Sequence, residues 1–303
     1  MDLVVEVENL QKSYGKVVAV EEVSFAVGRG EIFGIVGSNG AGKTTTVECL
    51  AGLRTPDRDT VRILGMDPRR EARKLRQRIG VRLQEAALPD NTKVWEALDL
   101  YASFYREPAD CERLLEQWGL VEKRNTRFQN LSGGQKQRLF ISLALVNRPE
   151  LVFLDEITTG LDPQARRLTW DLVREIRASG ATVLLVTHSM EEAETLCDRV
   201  AIIDEGRVVA LDAPEVLVQE GNPESSVHLT GIEGFDTSLL QELEGVSRTE
   251  WDGEKLVVYG GGALLPRVIV ALDHHRITPS GDTVGRRTLE DVFVEKTGRG
   301  IRD

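Results

Sequence analysis

A glycine-rich stretch that ends in a lysine and threonines has the residue types that bind phosphate. The stretch reads Gly37-Ser38-Asn39-Gly40-Ala41-Gly42-Lys43-Thr44-Thr45, follows the apolar run Ile32–Val36 and leads into a helix-like segment, Thr44–Leu53. Glycines let successive backbone N–H groups turn inward, so the loop can form an anion-binding nest at the positive end of the next helix. The strand, loop and helix context favours this interpretation over a plain glycine-rich turn before a helix.

The side chains at the end of this stretch predict a nucleotide rather than a simple anion. Lys43 is placed to reach the β- and γ-phosphates, and the Thr44 hydroxyl stands where Mg²⁺ bridges those phosphates. Thr45 can add a further donor to the phosphate oxygens. We therefore expect every residue from Gly37 to Thr45 to contribute to the nucleotide site.

Two adjacent carboxylates follow a continuously apolar run. Leu151–Leu154 is typical of a parallel strand buried on both faces, and Asp155 and Glu156 come directly after it. In α/β folds, ligand-binding groups lie at this end of the strands. Asp155 is predicted to orient the Mg²⁺ shell, and Glu156, pointing the other way along the pleat, to accept a proton from an attacking water. The alternative is a solvated strand end.

A second phosphate-binding pattern lies near the middle of the chain. Leu131-Ser132-Gly133-Gly134-Gln135 predicts a helix with Ser132 as its N-cap, and its N–H groups, hydroxyl and glycines can approach a γ-phosphate. Since the chain already has one phosphate loop, a second such element requires another explanation.

These motifs together resemble those of the ATP-binding cassette (ABC) ATPases, whose signature motif reads like Leu131–Gln135. The resemblance covers roughly residues 3 to 218 and keeps the family's motif order. It implies that Ser132, Gly133, Gly134 and Gln135 of one subunit close over the ATP held by the phosphate loop of another. The implied assembly is a head-to-tail pair with ATP and Mg²⁺ between the two copies.

The resemblance assigns further residues. Tyr14 matches the aromatic residue that stacks on adenine, against the alternative of an ordinary turn tyrosine. Gln84 matches the glutamine that senses Mg²⁺ and water, and it joins Thr44 and Asp155 in the predicted metal site. Asp162, in Gly160-Leu161-Asp162, matches the loop that touches the opposite subunit. His188 matches the histidine that contacts the γ-phosphate; the other histidines receive no role.

The chain departs from the family pattern at several positions. Ser38 stands where proline is common, Arg58-Asp59-Thr60 replaces a small Ser-Gly turn, and Arg82 replaces a small or apolar residue. Ile157 follows Glu156 where proline is usual, which raises the alternative of a nucleotide-binding structural subunit with weak turnover.

Composition restricts the partners and the setting. The 303 residues suit about two domains, and 41% hydrophobic residues is normal for a globular chain. The net charge of −11 disfavours nucleic acid as a partner. Cys49, Cys111 and Cys197 lack metal-ligand spacing and are interpreted as reduced thiols. No apolar run reaches about 18 residues, so an association with a membrane would need another protein.

The predicted fold class is α/β, a P-loop NTPase core of the ABC type with a parallel sheet, an antiparallel β subdomain and a helical subdomain, plus a small C-terminal α+β domain. The core is placed at residues 1–219, with the helical subdomain at about 85–148, and the accessory domain at 220–303. A charged helix is predicted at Pro68–Arg78. A second is predicted from Thr92 to Pro108, with one apolar face, Trp95, Leu98, Ala102 and Tyr105.

Beyond the core, Gly221-Asn222-Pro223 is predicted to be a linker. Strands are expected at Val227–Thr230 and Leu256–Tyr259, and helices at Leu264–His275 and Leu289–Lys296.

The C-terminal tail refines the functional hypothesis. Arg287–Arg299 resembles the tail motif of the ATP-binding subunits of daunorubicin-type drug exporters. The alternative is an amphipathic tail helix that packs on its own small domain. The resemblance implies a transport ATPase that powers drug, antibiotic or lipid export through a separate permease and is held by it at the cytoplasmic face of the membrane. The segment from Gln84 to Leu131 is the expected docking surface. A regulatory ABC ATPase not coupled to transport is the alternative.

Overall fold

The computed structural model describes residues 2–84, 86–220, 225–232, 236–253, 255–261, 264–275, 277–285 and 287–298. The chain divides into one compact unit of Met1–Pro214 with Lys296–Asp303 and a second of Glu215–Glu295. The predicted linker Gly221-Asn222-Pro223 and the tail residue Arg299 lie outside the described residues.

The first unit contains a nine-stranded sheet. Its strands are β1 (Leu3–Tyr14), β2 (Val17–Gly28), β3 (Ile32–Val36), β4 (Arg58–Ile63), β5 (Ile79–Arg82), β6 (Leu151–Asp155), β7 (Thr182–Thr187), β8 (Arg199–Asp204) and β9 (Arg207–Asp212). They lie in the order β4-β1-β2-β9-β8-β3-β7-β6-β5.

The sheet has a parallel half and an antiparallel half. β8, β3, β7, β6 and β5 are parallel neighbours, while β4, β1 and β2 pair antiparallel and β9 turns back on β8. All residues of β3, β6 and β7 are buried, as expected for parallel strands covered on both faces. The parallel register brings the carboxyl ends of β3, β5, β6 and β7 to one edge, where the predicted phosphate loop and carboxylates follow.

The helices between residues 43 and 219 are α1 (Lys43–Leu50), α2 (Ala72–Leu75), α3 (Val94–Ala102), α4 (Cys111–Gln117), α5 (Gly133–Leu145), α6 (Pro163–Ala178), α7 (Met190–Leu196) and α8 (Pro214–Gln219), of which α8 belongs to the second unit from Glu215 onward. α3, α4 and α5 lie between β5 and β6 in the sequence and form a helical part. No helix among the described residues has both the length and the apolar character needed to cross a membrane.

Two helix predictions in this unit were too long. The helix predicted at Pro68–Arg78 is the four-residue α2, because the Asp67 carboxylate accepts hydrogen bonds from the next two backbone N–H groups and holds a turn there. α3 ends at Ala102, where the Ser103 hydroxyl donates to the Leu100 carbonyl oxygen.

The buried face of α3 also differs from the predicted face of Trp95, Leu98, Ala102 and Tyr105. It consists of Val94, Ala97 and Leu98, and Tyr105 follows the end of the helix.

The second unit contains a four-stranded antiparallel sheet in the order β11-β12-β10-β13, with β10 (Ser225–Thr230), β11 (Val246–Asp252), β12 (Lys255–Gly260) and β13 (Gly281–Gly285). Its helices are α9 (Ser238–Gln241), α10 (Leu264–His274) and α11 (Leu289–Thr297). Val227, Leu229, Leu256 and Val258 join Val268 of α10 in its apolar core.

The predicted α/β class with a small C-terminal α+β part is confirmed. β11 and β13 were not predicted as strands. Both mix charged or glycine residues with apolar ones and so lack a clear strand pattern.

Gly80 offers a test of how closely β5 packs on α5. A Cβ at this position would lie 2.1 Å from the Ala144 carbonyl oxygen and 3.2 Å from Pro149 Cγ. We expect Gly80→Ala to lower the free energy of unfolding of the first unit by about 1–3 kcal/mol, because a backbone carbonyl cannot move aside like a side-chain tip.

Denaturant titration followed by circular dichroism measures this loss. Gly28→Ala is the matched control, since its new Cβ would meet nothing closer than 3.8 Å, at the Glu31 side chain. Equal stability of the two variants would contradict the close packing.

Candidate nucleotide site

The loop between β3 and α1 requires glycine at particular positions. Gly42, directly before α1, has φ +98°, and a Cβ there would lie 2.1 Å from the Ala19 carbonyl oxygen of β2. A Cβ at Gly37 would lie 2.1 Å from the Ile203 carbonyl oxygen of β8. The loop is therefore wedged between the backbones of two strands, which fixes its path at the N-terminus of α1.

Lys43 is turned back into this loop. Its ammonium group donates to the carbonyl oxygens of Gly37 and Ser38, both at 2.8 Å, and the residue is only 5% exposed. Burial lowers the pKa of Lys43, and the nearby carboxylates of Glu156 and Asp155 oppose that shift. A positive charge thus lies inside the loop next to two acids.

A cavity of about 340 Å³ opens in front of the loop. It is lined by residues from four separate segments: Ala19, Asn39, Gly40, Gly42, Lys43, Thr44, Thr45, Gln84 and Glu156. The structure therefore brings together Gln84, which follows β5, and Glu156, which follows β6, with the loop itself. Ala19 was not predicted, since nothing in its residue type marks the backbone contact of β2 with Gly42.

Asp155 is the last residue of β6 and is fully buried. Its Oδ2 accepts a hydrogen bond from the Thr44 hydroxyl at 3.2 Å, while its Oδ1 is buried without a hydrogen-bond partner. Burial raises the pKa of Asp155, and the Thr44 hydrogen bond counters this. A hydroxyl, a carboxylate with an open oxygen and the Gln84 amide make the oxygen donor set that Mg²⁺ prefers.

Glu156 does not lie on the strand, contrary to the prediction that it points the other way along the pleat. It has φ +53°, a left-handed conformation, and its N–H donates to the Val186 carbonyl oxygen at 2.9 Å. Ile157, fully buried, anchors the turn after it. The strand ends at Asp155 because the chain turns there, and this turn directs Glu156 into the cavity wall.

Two side chains contact Oε2 of Glu156. The Thr159 hydroxyl donates to Oε2 at 2.8 Å, and His188 Nδ1, just after β7, lies 2.6 Å from the same oxygen. The two atoms are in contact but do not meet hydrogen-bond geometry. The predicted histidine thus lies beside the predicted base.

Arg82 is a neighbour of the site to which the sequence assigned no role. It is 8% exposed, donates to the Asp155 carbonyl oxygen, and donates to Gln137 Oε1 of α5 at 2.7 Å. Burial lowers its pKa, and the charges of Asp155 and Glu156 oppose this. In the sequence, Arg82 stands out only as a departure from the family pattern. That departure is the feature that could have pointed to its position beside the site.

Tyr14 lies outside the cavity lining. It is the last residue of β1, is 42% exposed, and its ring centroid is 5.4 Å from Lys12 Nζ and 5.5 Å from Arg54 Cζ. Two cations therefore lie over the Tyr14 ring, which is partly exposed at the rim of β1 and β2.

The second glycine motif lies in a different cavity. Ser132 caps α5: its hydroxyl accepts from the Gln135 N–H at 3.3 Å, and the Gln135 side chain accepts from the Ser132 N–H at 2.9 Å. With Gly133, Gly134 and Asp162, Ser132 lines a pocket of about 250 Å³. The Asp162 carboxylate caps α6 by accepting from the Ala165 N–H at 2.9 Å. The predicted site residues therefore fall into two separate groups within one chain.

Comparison with known proteins identifies the family. A family model described as ABC transporter matches residues 20–159. The Nod factor export ATP-binding protein I of Paraburkholderia xenovorans strain LB400 is 41% identical over 310 residues, which covers 99% of this chain and 98% of that protein. The protein of the same name from Sinorhizobium fredii strain NGR234 is 37% identical over 314 residues, covering 100% and 88%.

Solved structures agree in fold. An ATP-binding subunit of an ABC transporter has a TM-score of 0.65 and 30% identity over 72% of this chain and 92% of its own. A dimeric ATP-binding cassette solved in a post-hydrolysis state with ADP and Pi has a TM-score of 0.63 and 26% identity, over 69% and 98%. With its phosphate loop, strand-end carboxylates and capped glycine motif, the chain belongs to the ABC transporter family, as an ATP-binding subunit of a transport system.

Proposed function

We propose that this chain binds ATP with Mg²⁺ and hydrolyses it in a head-to-tail pair with a second copy, to drive export through a separate membrane permease. The observation that carries the proposal is the separation of the two glycine motifs. The phosphate loop lines one cavity with Gln84 and Glu156, whereas Ser132 lines another. Each chain thus offers two half-sites, which a second copy can complete.

The first half-site binds the phosphates and the metal. The N–H groups of Gly37–Thr45 and the Lys43 ammonium balance the phosphate charge. Thr44, Asp155 and Gln84 would hold Mg²⁺, which neutralises charge on the β- and γ-oxygens when bound. Tyr14 stacks on the adenine, and Lys12 and Arg54 flank its ring.

Hydrolysis needs a base and a group that stabilises the γ-phosphate. Glu156 takes a proton from water while the water oxygen attacks phosphorus and the bond to the ADP oxygen breaks. His188, with Lys43, stabilises the charge on the phosphoryl oxygens. Glu156 Oε2 and His188 Nδ1 lie 2.6 Å apart, so the proposed base and the proposed γ-phosphate contact stand next to each other.

The second half-site comes from the other copy. Ser132, Gly133, Gly134 and Gln135 present a helix N-terminus and a hydroxyl, which suit the γ-phosphate of ATP held by the partner. Asp162 borders the same pocket and would lie at the interface between copies. ATP then acts as the ligand that joins the pair, and hydrolysis releases it.

The export assignment rests on the tail and the relatives. The tail from Arg287 resembles that of daunorubicin-type exporters, and the two relatives reported above carry Nod factor export in their names. We propose export of a drug, antibiotic or lipid, with the chain held at the cytoplasmic face of the membrane by its permease. The net charge of −11 disfavours nucleic acid as a partner in this function.

A basic groove is the proposed docking surface for the permease. It has a volume of about 860 Å³ and is lined by Arg73, Lys74, Gln77, Arg78, Phe104, Tyr105, Arg106, Glu107, Asn147 and Arg148. Five of these side chains are cationic and one is acidic, and Phe104 is 63% exposed. The groove therefore suits a cytoplasmic permease segment that combines acidic and apolar side chains. Only its residues 104–107 fall within the docking segment expected from sequence.

If Glu156 is the general base, its substitution should impair ATP hydrolysis without weakening ATP binding. Glu156→Gln keeps the shape of the side chain but cannot take the proton, so we expect kcat to fall by about 10²- to 10⁴-fold with ATP affinity retained. Steady-state phosphate release and sedimentation with ATP measure this, and the variant should accumulate as an ATP-bound dimer. Glu112→Gln, an exposed carboxylate paired with Arg124, is the control. Wild-type turnover in Glu156→Gln would refute the assignment.

Lys43 should act mainly on affinity. Lys43→Ala removes the buried cation and its two loop hydrogen bonds, so we expect the Kd for ATP with Mg²⁺ to rise at least about tenfold by calorimetry. Lys255→Ala, at an exposed residue of the second unit, should leave the Kd unchanged. Equal Kd values for the two variants would count against the role of Lys43.

Charge reversal tests the groove. Arg106→Glu should leave the ATPase rate of the isolated protein unchanged and abolish co-purification with its permease from detergent-solubilised membranes. Arg113→Glu reverses an exposed charge on α4 outside the groove and serves as the control. Full permease recovery with Arg106→Glu would exclude the groove as the docking surface.

A further inference from the structure

Glu192 is a carboxyl group that the proposed mechanism does not use, although it lies directly behind the site. It belongs to the first turn of α7 and is 0% exposed. Its Oε1 accepts a hydrogen bond from Trp170 Nε1 at 3.0 Å. Its own N–H donates to the Ser189 hydroxyl, which caps α7. A fully buried acid with a neutral indole as its hydrogen-bond donor requires a physical reason.

Three segments that carry site residues meet at this carboxyl. Trp170 lies on α6, which begins after Asp162. The hydroxyls of Thr187, before His188, and Thr158, two residues after Glu156, also act on Glu192. In this structure Oε2 is buried and neither hydroxyl meets hydrogen-bond geometry with it. Oε2 is therefore the atom with an unused hydrogen-bonding position, next to two threonines.

The charges around Glu192 disfavour its ionisation. Burial is the largest effect and raises its pKa above the usual value of 4.5, the Thr187 and Thr158 hydroxyls and the Trp170 N–H oppose this rise, and the Glu156 carboxylate adds to it. Cys197 faces it from the end of α7, and burial raises the pKa of that thiol as well. On α6, Arg166 pairs with the exposed neighbour Glu191. Trp170 and the two threonines carry no charge.

We propose that Glu192 is a positioning residue that works as a neutral carboxylic acid and joins the turn of Glu156, the loop of His188 and the helix that follows Asp162. Its carbonyl oxygen accepts the Trp170 N–H, and its O–H donates to a threonine hydroxyl oxygen. A neutral acid can do both, whereas a carboxylate can only accept. This inference rests on the proposed ATP hydrolysis, because it concerns the alignment of Glu156 and His188 for that reaction.

Substitutions separate the neutral acid from a charged one. Glu192→Gln replaces the acid by a neutral group that still accepts and donates, so we expect kcat and KM for ATP within about twofold of wild type. Glu192→Leu keeps similar bulk without hydrogen bonds, and its kcat should fall at least tenfold with KM changed less than threefold. Trp170→Phe removes one donor only and should lower kcat in the same way, which keeps the test valid if Glu192→Leu fails to fold. Glu191→Leu, on the same helix but exposed, is the matched control.

A thermal measurement tests the ionisation state without activity. Because the folded state holds the proton of Glu192 more tightly than the unfolded state, the stability that Glu192 contributes is present below about pH 4.5 and is lost as the pH rises through its raised folded-state pKa. Glutamine cannot titrate, so the Tm of Glu192→Gln minus that of wild type should increase steadily from pH 5 to pH 8. A difference that stays constant or decreases over this range overturns the neutral-acid assignment.

The outcomes distinguish this inference from the function on which it rests. If wild-type protein hydrolyses ATP and Glu192→Gln loses turnover tenfold or more, the inference is wrong and the proposed function stands. If Glu192→Leu and Trp170→Phe keep wild-type kcat while their Tm falls, the residue is merely structural and the positioning role is wrong. If wild-type protein with its permease hydrolyses no ATP, the proposed function fails, and the pH dependence of Tm alone then decides the ionisation state.

Discussion

Four charged groups share one buried edge of the large sheet, and the site depends on how they compensate one another. Lys43, Arg82, Asp155 and Glu156 are each at most 8% exposed, at the carboxyl ends of β3, β5 and β6. Isolated charges could not remain there, because desolvation costs several kcal/mol per ion. Two cations and two anions within this region balance in sign, and backbone carbonyls accept the hydrogen bonds of both cations. The parallel strand order matters because it brings these groups to one edge.

The same compensating contacts determine which hydrogen bonds a bound nucleotide must replace. Lys43 donates to its own loop, and Glu156 is engaged by Thr159 and His188. A phosphate that takes over Lys43 therefore exchanges one set of hydrogen bonds for another, and only the difference appears as affinity. Asp155 is the exception, since its Oδ1 has no hydrogen-bond partner to lose. A cation at that oxygen would favour the charged carboxylate and reverse the effect of burial on its pKa.

The sequence predicted those features that local chemistry determines. Ser132 was predicted to be an N-cap and caps α5 as expected, because a hydroxyl directly before a helix has one strongly favoured use. The cluster of Gln84 and Glu156 at the phosphate loop required knowledge of motif order, since 72 residues of sequence separate the two. Their roles, and those of the other site residues, stay predictions until the variants are measured.

Features that depend on tertiary contact were not predictable. The left-handed turn at Glu156 depends on its hydrogen bond to Val186 and on the burial of Ile157, which lie in other parts of the core. The buried contacts of Arg82 could not be predicted, because its partner Gln137 lies 55 residues further along the chain. The strands β11 and β13 are held by pairing with β12 and β10, so their own residue patterns carry little of the signal.

The contacts of α5 link the proposed docking groove to the nucleotide site. Arg82, at the carboxyl end of β5, donates to Gln137 near the start of α5, and Asn147, just after α5, donates to the Ile79 carbonyl oxygen at the other end of β5. α5 and β5 are thus fastened at both ends, and Gly80 lets their backbones approach between these points. Asn147 borders the groove, so α5 and β5 form a continuous hydrogen-bonded connection from the groove to Arg82. The Arg82 contact with the Asp155 carbonyl extends this connection to the strand that carries the proposed metal ligand.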